Sequence, residues 1–548
     1  MRESARTAGP SRRDFLATGA AAGAALIGGS TGLGAQSSQG GAFDVPPFEL
    51  EELTIADLQA RMASGQDTAL TLTRKYLARI AALDKQGPAL NQILELNPEA
   101  EADAKRLDEE RRSGRVRGPL HGILILVKDN IATAGPMTTT AGSLALEGVV
   151  APRDAFVVRR LRAAGAVILG KTNLSEWANF RADNSTSGWS GRGGLGRNPY
   201  ALDRNTSGSS SGSAAAAAAN YAAAAIGTET DGSIVSPSNC CGLVGLKPTL
   251  GLVSRTGIIP IAHSQDTAGP MTRTVADAAA VLTAIAGVDA EDEATREAGA
   301  RAVDFTRFLD PDGLRGARIG IPRERLFGST PHGDRLADAA IEVMKSLGAE
   351  VIDPVKLDVP RDLWRTELEV LLYEFKADLN AYLASLGPSG RVKTLADIIR
   401  FNDENAAREM PYFGQELFIQ AEAKGPLTDK AYLDALATNH RLTRELGIDK
   451  VMDEHGLDAL VAPTGGPAWL TDLVNGDCSR GGASSIPAVA GYPHITVPAG
   501  FVSGLPVGVS FIGRAWSEPT LIKLAYAFEQ ATKHRRPPKF LRTVPLDT

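Results

Sequence analysis

Cysteine is scarce: the chain has 548 residues and three cysteines, Cys240, Cys241 and Cys478. A disulfide framework is therefore excluded as the source of its stability. An oxidising compartment leaves open one bridge, from Cys478 to either neighbour of the adjacent pair; small buried side chains are the plain alternative. The seven histidines are scattered, with no H-E-x-x-H and no paired ligand spacing. That pattern argues against a metal hydrolase, and no metal or other cofactor is expected. Net charge is −6 with no long basic run, so nucleic acid is not an expected partner. No repeat of fixed period occurs. The Ala/Gly stretch from Ala17 to Leu33 is weakly hydrophobic and short for a membrane span.

What is present is an ordinary globular balance, 43% hydrophobic and 22% charged residues. The length supports a large core, and large α/β enzymes can run this long as one unit. The N-terminus stands apart. Ser11-Arg12-Arg13-Asp14-Phe15-Leu16 is a twin-arginine export pattern, followed by the Ala/Gly run and by the small residue Ala35. Such signals are addresses and are excluded from fold reasoning. Residues 1–35 are read as a bacterial twin-arginine signal, 36–50 as a linker and 51–545 as the enzyme domain. The expectation is a periplasmic or secreted protein without stable membrane insertion after processing. A tail with a chance Arg-Arg is the alternative.

Apolar spacing reads as helical from Thr54 to Ser113, through Leu58, Met62, Leu70, Leu72, Tyr76, Leu77 and Ile80. Ile123 to Val127 reads as a buried strand. Ala155 to Ala164 reads as a helix and Val167 to Leu169 as a strand, an α/β rhythm. Asn198 to Ser213 is loop-like. Ala214 to Ala225, mostly alanine, reads as a helix. Leu368 to Leu386 has helical spacing; its stripe of Tyr373, Phe375 and Tyr382 is read as core, with a substrate wall as the alternative. Asp477 to Ala499 reads as loops around a strand.

The chemistry sits in three segments. Gly118 to Asn130 carries Lys128 at the end of an apolar run. Ser207-Gly208-Ser209-Ser210-Ser211-Gly212-Ser213 and Gly227-Thr228-Glu229-Thr230-Asp231-Gly232-Ser233-Ile234-Val235-Ser236-Pro237-Ser238 are rich in glycine and serine. A lysine acts as a base only as the neutral amine, which burial favours. Glycine lets backbone N–H groups approach a reacting carbonyl. Alone, Lys128 reads as a surface lysine, Ser209 as a linker serine and Ser233 as a helix cap. Together they suggest a serine hydrolase with a lysine base.

These segments resemble the amidase signature family of amide hydrolases. The similarity runs from about residue 50 to residue 540 and includes Val167 to Asn173, Gly245 to Thr249, Gly269 to Asp277 and Gly504 to Gly513. It implies an α/β amidase signature fold, a mixed central β-sheet surrounded by helices. It also implies a Ser-Ser-Lys triad: Ser233 the nucleophile, Ser209 the bridging serine after a cis Gly208–Ser209 peptide, and Lys128 the base. The backbone N–H groups of Thr230, Asp231, Gly232 and Ser233 would form the oxyanion hole. The sequence departs from the family where Ser207, Ser211 and Asp231 replace common glycines and where Val235-Ser236 follows Ile234. Thr228 to Val235, Leu368 to Lys376 and Ala462 to Trp469 resemble the peptide amidase branch, which releases ammonia from peptide C-terminal amides. A small amide or peptide amide is the expected substrate.

Several rivals remain beside that reading. An aryl or aliphatic amidase or esterase of the same family is one. Gly208-Ser209-Ser210-Ser211-Gly212 also satisfies G-x-S-x-G, which would make Ser210 the nucleophile of an α/β-hydrolase, served by His440, His455, His494 or His534. That motif should follow a strand, yet Asp203 to Ser207 is polar. A non-catalytic exported binding protein would have lost Lys128, Ser209 or Ser233, and all three are present. A tRNA-dependent amidotransferase subunit conflicts with the export signal. His121, Asp129, Asn173 and Glu176 read as structural. Oligomeric state is not legible.

Overall fold

The structure is a computed structural model, and it describes residues 41–545. The export signal expected over 1–35 lies outside the described residues. Of the expected linker, residues 41–50 pack onto the domain: Phe43 N–H donates to Phe540 O at 3.1 Å, and Leu50 is buried.

Among the described residues, eleven strands form one mixed sheet. In chain order they are β1 (Ile93–Leu96), β2 (Leu124–Lys128), β3 (Val167–Thr172), β6 (Ala224–Glu229), β7 (Val244–Lys247), β8 (Thr267–Thr272), β9 (Arg318–Gly320), β10 (Glu350–Ile352), β11 (Ala459–Pro463), β12 (His494–Val502) and β13 (Leu505–Ile512). Two further strands, β4 (Trp189–Ser190) and β5 (Gly194–Leu195), pair separately. The sheet order is β1-β3-β2-β6-β8-β7-β12-β13-β11-β9-β10. β3, β2 and β6 run parallel, β6 to β11 alternate through antiparallel pairs, and β11, β9 and β10 are parallel again. This is the mixed sheet with surrounding helices expected from the sequence. Every residue of β2, β3, β6 and β8 is buried, because helices cover the sheet and its central strands have no solvent face.

The helical reading of residues 54–113 is interrupted. Helices Ile55–Ala63, Ala69–Leu83 and Ala100–Arg112 form, but β1 lies between the last two. Ala89 and Asn91 take positive φ, and the apolar run that follows pairs antiparallel with β3. The alanine segment differs more. Its helix spans Ser211–Ala218 and stops before Asn220, which has φ 61°. Arg273 then donates to the carbonyls of Ala217 and Ala222 at 3.1 and 2.9 Å, and Ala224 and Ala225 enter β6. A sheet position between β2 and β8 overrides alanine's helix preference. The Ala155–Ala164 and Leu368–Leu386 expectations appear as helices Phe156–Ala163 and Leu363–Ser385. Phe375 is core, while Tyr382 is half-buried beside a surface cavity with Arg255 and Asp266. Within Asp477–Ala499, a short helix Ser485–Ala490 precedes β12. Cys240, Cys241 and Cys478 are all free, the first two buried and the third exposed.

Candidate active site

Parallel strands β2 and β6 are neighbours, so their carboxyl ends open at the same edge of the sheet. Crevices at strand carboxyl ends are where open α/β sheets bind ligands. Lys128 is the last residue of β2, and residues 230–233 leave the end of β6. Ser209 lies two residues before the helix Ser211–Ala218, which leads back into β6. Gly212 seats the start of that helix: a Cβ there would fall 2.3 Å from the Asn173 carbonyl oxygen. The Gly208–Ser209 peptide is cis. One crossover thus gathers three side chains far apart in sequence.

Lys128 Nζ lies 2.8 Å from Ser209 Oγ, and Ser209 Oγ lies 2.9 Å from Ser233 Oγ. Lys128 Nζ also meets Thr228 Oγ1 at 2.8 Å and Thr228 O at 3.3 Å. Lys128 is fully buried. Burial lowers its pKa to about 7, although Asp266 and Glu229 oppose the shift. Nζ donates to all three oxygens, and Ser209 Oγ donates to Ser233 Oγ. When Nζ gives up one proton, its lone pair can accept from Ser209, which can then accept from Ser233.

The loop that carries Ser233 is braced from below. Glu229 Oε2 accepts from the backbone N–H groups of Ile234 at 2.7 Å and Val235 at 3.0 Å. A carboxylate there stabilises the start of the helix Val235–Cys240. Burial raises the Glu229 pKa against the lowering effect of Lys247. Gly232 has φ 76°, and a Cβ there would stand 3.0 Å from Ser484 Oγ, so the turn needs glycine. The backbone N–H groups of Thr230, Asp231, Gly232 and Ser233 donate to no backbone carbonyl or side chain among the described residues. Thr230 Oγ1 donates to Asp266 Oδ1 at 2.5 Å. Burial pushes the Asp266 pKa up to about 6. Ala178, Asn130, Thr228 and Thr230 line a small pocket with Asp266. Ala178 belongs to a left-handed turn, Trp177 to Asn179, with φ of 51°, 54° and 70°.

Ser210 is occupied elsewhere. Its Oγ donates to Thr228 O at 3.0 Å and accepts from Thr228 N–H at 3.2 Å. No histidine is bonded to it among the described residues. His494 is bonded to Ser510 Oγ at 2.6 Å and is kept neutral, its pKa lowered by burial to about 3. His440 and His455 end helices Lys430–His440 and Asp449–His455, and His534 packs on Phe528. The α/β-hydrolase alternative therefore fails: Ser210 braces a strand. His121 is buried with Nε2 3.0 Å from Leu107 O, and Asp129 accepts from Thr140 and Gly142 N–H groups at 3.2 Å. Asn173 O accepts from Gly212 N–H at 3.0 Å, and Glu176 pairs with buried Arg181 at 2.8 Å. Each of the four is thus held by contacts within the fold.

The fold also makes a cluster the spacing of the sequence hid. His263, Glu374 and Asp378 bring their ligand atoms within 4.8 Å of one another. The imidazole already meets Asp378 Oδ2 at 2.8 Å and Glu374 Oε1 at 3.5 Å, which raises its pKa against the lowering effect of burial. Glu374 is further bonded by Tyr432 OH at 2.8 Å. Thr228 and Glu229 lay inside the serine-rich segments, yet only the paired strands show that one contacts Lys128 and the other caps the helix Val235–Cys240. A cavity of about 780 Å³ is lined by Ser236, Cys240, Trp469, Cys478 and Arg480 but by none of Lys128, Ser209 and Ser233.

The family model described as Amidase matches residues 71–522. A probable amidase of Arabidopsis thaliana is 44% identical over 506 residues, covering 90% of this chain and 93% of that protein. A glutamyl-tRNA(Gln) amidotransferase subunit of Chloroflexus aurantiacus is 37% identical over 505 residues, covering 90% and 99%. The crystal structure of native peptide amidase from Stenotrophomonas maltophilia superimposes with a TM-score of 0.85 at 53% identity, covering 92% of this chain and all of that one.

Proposed function

The chain belongs to the amidase family, a hydrolase of amide C–N bonds, and from that premise we propose that it releases ammonia from the C-terminal amides of peptides through Ser233, Ser209 and Lys128. The observation that carries the reading is the unbroken run of contacts from Lys128 Nζ to Ser209 Oγ to Ser233 Oγ, 2.8 and 2.9 Å. Ser233 Oγ attacks the amide carbonyl carbon. Its proton passes to Ser209 while that of Ser209 passes to Lys128. The backbone N–H groups of residues 230–233 receive the developing oxyanion. Collapse breaks the C–N bond, and the proton returns through Ser209 to the leaving nitrogen, which departs as ammonia. Water then attacks the acyl-Ser233 ester with the same groups as base, giving the peptide acid and free serine.

The substrate assignment is supported by the likeness to the Stenotrophomonas peptide amidase and by Asp231, which departs from the common family pattern. The Arg12-Arg13 pair and the Ala/Gly run that follows support export to the periplasm or beyond. A panel of peptide amides beside aryl amides, aliphatic amides and esters, with ammonia measured, tests the reading. Ammonia release led by peptide amides is expected. Turnover of aryl amides or esters with no ammonia from any peptide amide would reject it.

A further inference from the structure

Asp231 sits in the nucleophile loop, two residues before Ser233. Its Oδ2 accepts from Ser485 Oγ at 2.7 Å. Its charge also acts on the buried carboxyl group of Glu367, from the helix Leu363–Ser385. Burial, then that neighbouring charge, drives the Glu367 pKa well above the usual carboxylate range, and burial raises that of Asp231 too. Glu367 Oε1 accepts from Gln265 Nε2 at 3.0 Å, and the same Nε2 reaches the Thr230 carbonyl at 3.2 Å. The far helix therefore grips the loop through Gln265 at the Thr230 peptide, with the Glu367 carboxyl group also under the charge of Asp231. The peptides of that loop carry the N–H groups assigned to the oxyanion.

We infer that Glu367 is a positioning residue for amide hydrolysis, orienting the 230–233 backbone N–H groups toward the oxyanion through Gln265. This rests on the Ser233 reading above. Glu367 touches no reacting atom in that reading, and it lies 134 positions after Ser233 in sequence. The oxyanion exists only in the transition state and the intermediate, so looser N–H groups lower kcat while substrate binding holds.

The test compares Glu367→Ala, Glu367→Gln and Gln265→Met with the unsubstituted chain on one peptide amide, with active serine counted by sulfonyl fluoride labelling. Glutamine keeps an acceptor for Gln265; alanine does not. Losing one direct oxyanion donor costs about 10²–10³-fold in kcat, so an indirect loss of about 10–100-fold is expected for Glu367→Ala, with KM within about threefold. Glu367→Gln should stay within about fivefold of the unsubstituted kcat. Unchanged kcat in Glu367→Ala, an equal fall in alanine and glutamine variants, or a rise confined to KM would overturn the inference. Should Glu367→Ala be insoluble, Gln265→Met decides in its place: a fall in kcat alone supports the inference and an unchanged kcat overturns it. If Ser233 of the unsubstituted chain takes no label, the nucleophile reading falls and this inference with it. Full labelling with unchanged kcat in the variants removes only the role of Glu367.

Discussion

Thr228 holds Lys128 through two oxygens, its hydroxyl at 2.8 Å and its own carbonyl at 3.3 Å. The hydroxyl also accepts from Asn130 Nδ2 at 2.9 Å. With its hydrogens directed to Thr228, a neutral Lys128 amine offers its remaining lone pair to Ser209. The base is aimed by a residue that never meets the substrate in the proposed reaction.

Removal of the relay should abolish turnover. Ser233→Ala and Lys128→Ala are each expected to lower kcat by at least about 10⁴-fold, in line with other triads. Ser210→Ala should keep an active nucleophile while losing about 1–3 kcal/mol of stability, because Thr228 N–H loses its hydroxyl acceptor and Thr228 O loses one of two donors. Steady-state kinetics with mass-spectrometric mapping of a sulfonyl fluoride adduct checks both. An adduct on Ser210, with activity surviving in Ser233→Ala, contradicts the assignment.

The pH dependence follows from the buried amine. Lys128 must be neutral to accept a proton, and its pKa lies near 7. Activity should therefore rise with pH through that value and level above it. The folded-state pKa is depressed, so between about 7 and the reference of about 10.4 the unfolded chain binds the extra proton, and this group's contribution to stability improves as pH rises. Rates of sulfonyl fluoride inactivation across pH 5–9 report the same ionisation. A limb that vanishes on substitution of His440 or His494 would assign the base to histidine.

Gly232→Ala tests the turn that precedes Ser233. At φ 76° a side chain is strained, and its Cβ would press on Ser484 Oγ at 3.0 Å. The expected result is a stability loss of about 1–2 kcal/mol and a kcat loss larger than that strain alone implies, because the N–H groups of the turn shift. Thermal unfolding beside kcat separates the two. Wild-type kcat in a destabilised variant would remove these N–H groups from the oxyanion role.

Export is tested at the twin arginines. Arg12→Lys with Arg13→Lys should leave the protein in the cytoplasm, measured by fractionation in a bacterium with a working twin-arginine system. Undiminished periplasmic delivery of that variant would reject the signal.

Much of the site was legible because its residues cluster in three short glycine- and serine-rich or apolar segments. Lys128, Ser209 and Ser233 could be named from them, and the Gly232 turn from its glycine. Glu367 could not. It lies on a helix whose sequence reads as ordinary core, and its role depends on a contact across the domain. His263, Glu374 and Asp378 stayed hidden for the same reason. In the fold, alanine propensity misled: Ala224 and Ala225 belong to β6 because the gap between β2 and β8 must be filled, which no local pattern encodes. β1 was missed because four residues of an edge strand are shorter than the helices on either side.

The unequal burial of the three free thiols gives the protein a ready-made reporter position. Cys240 and Cys241 are sealed, and burial raises both, Cys240 to about 12. Cys478 alone is exposed, on the loop that lines the 780 Å³ cavity together with Ser236, three residues past Ser233. A maleimide fluorophore should therefore attach at one place without any engineered cysteine. Its emission would follow the loop from Gly465 to Gly481 during turnover, turning an unpaired thiol into an optical readout of the region beside the helix Val235–Cys240.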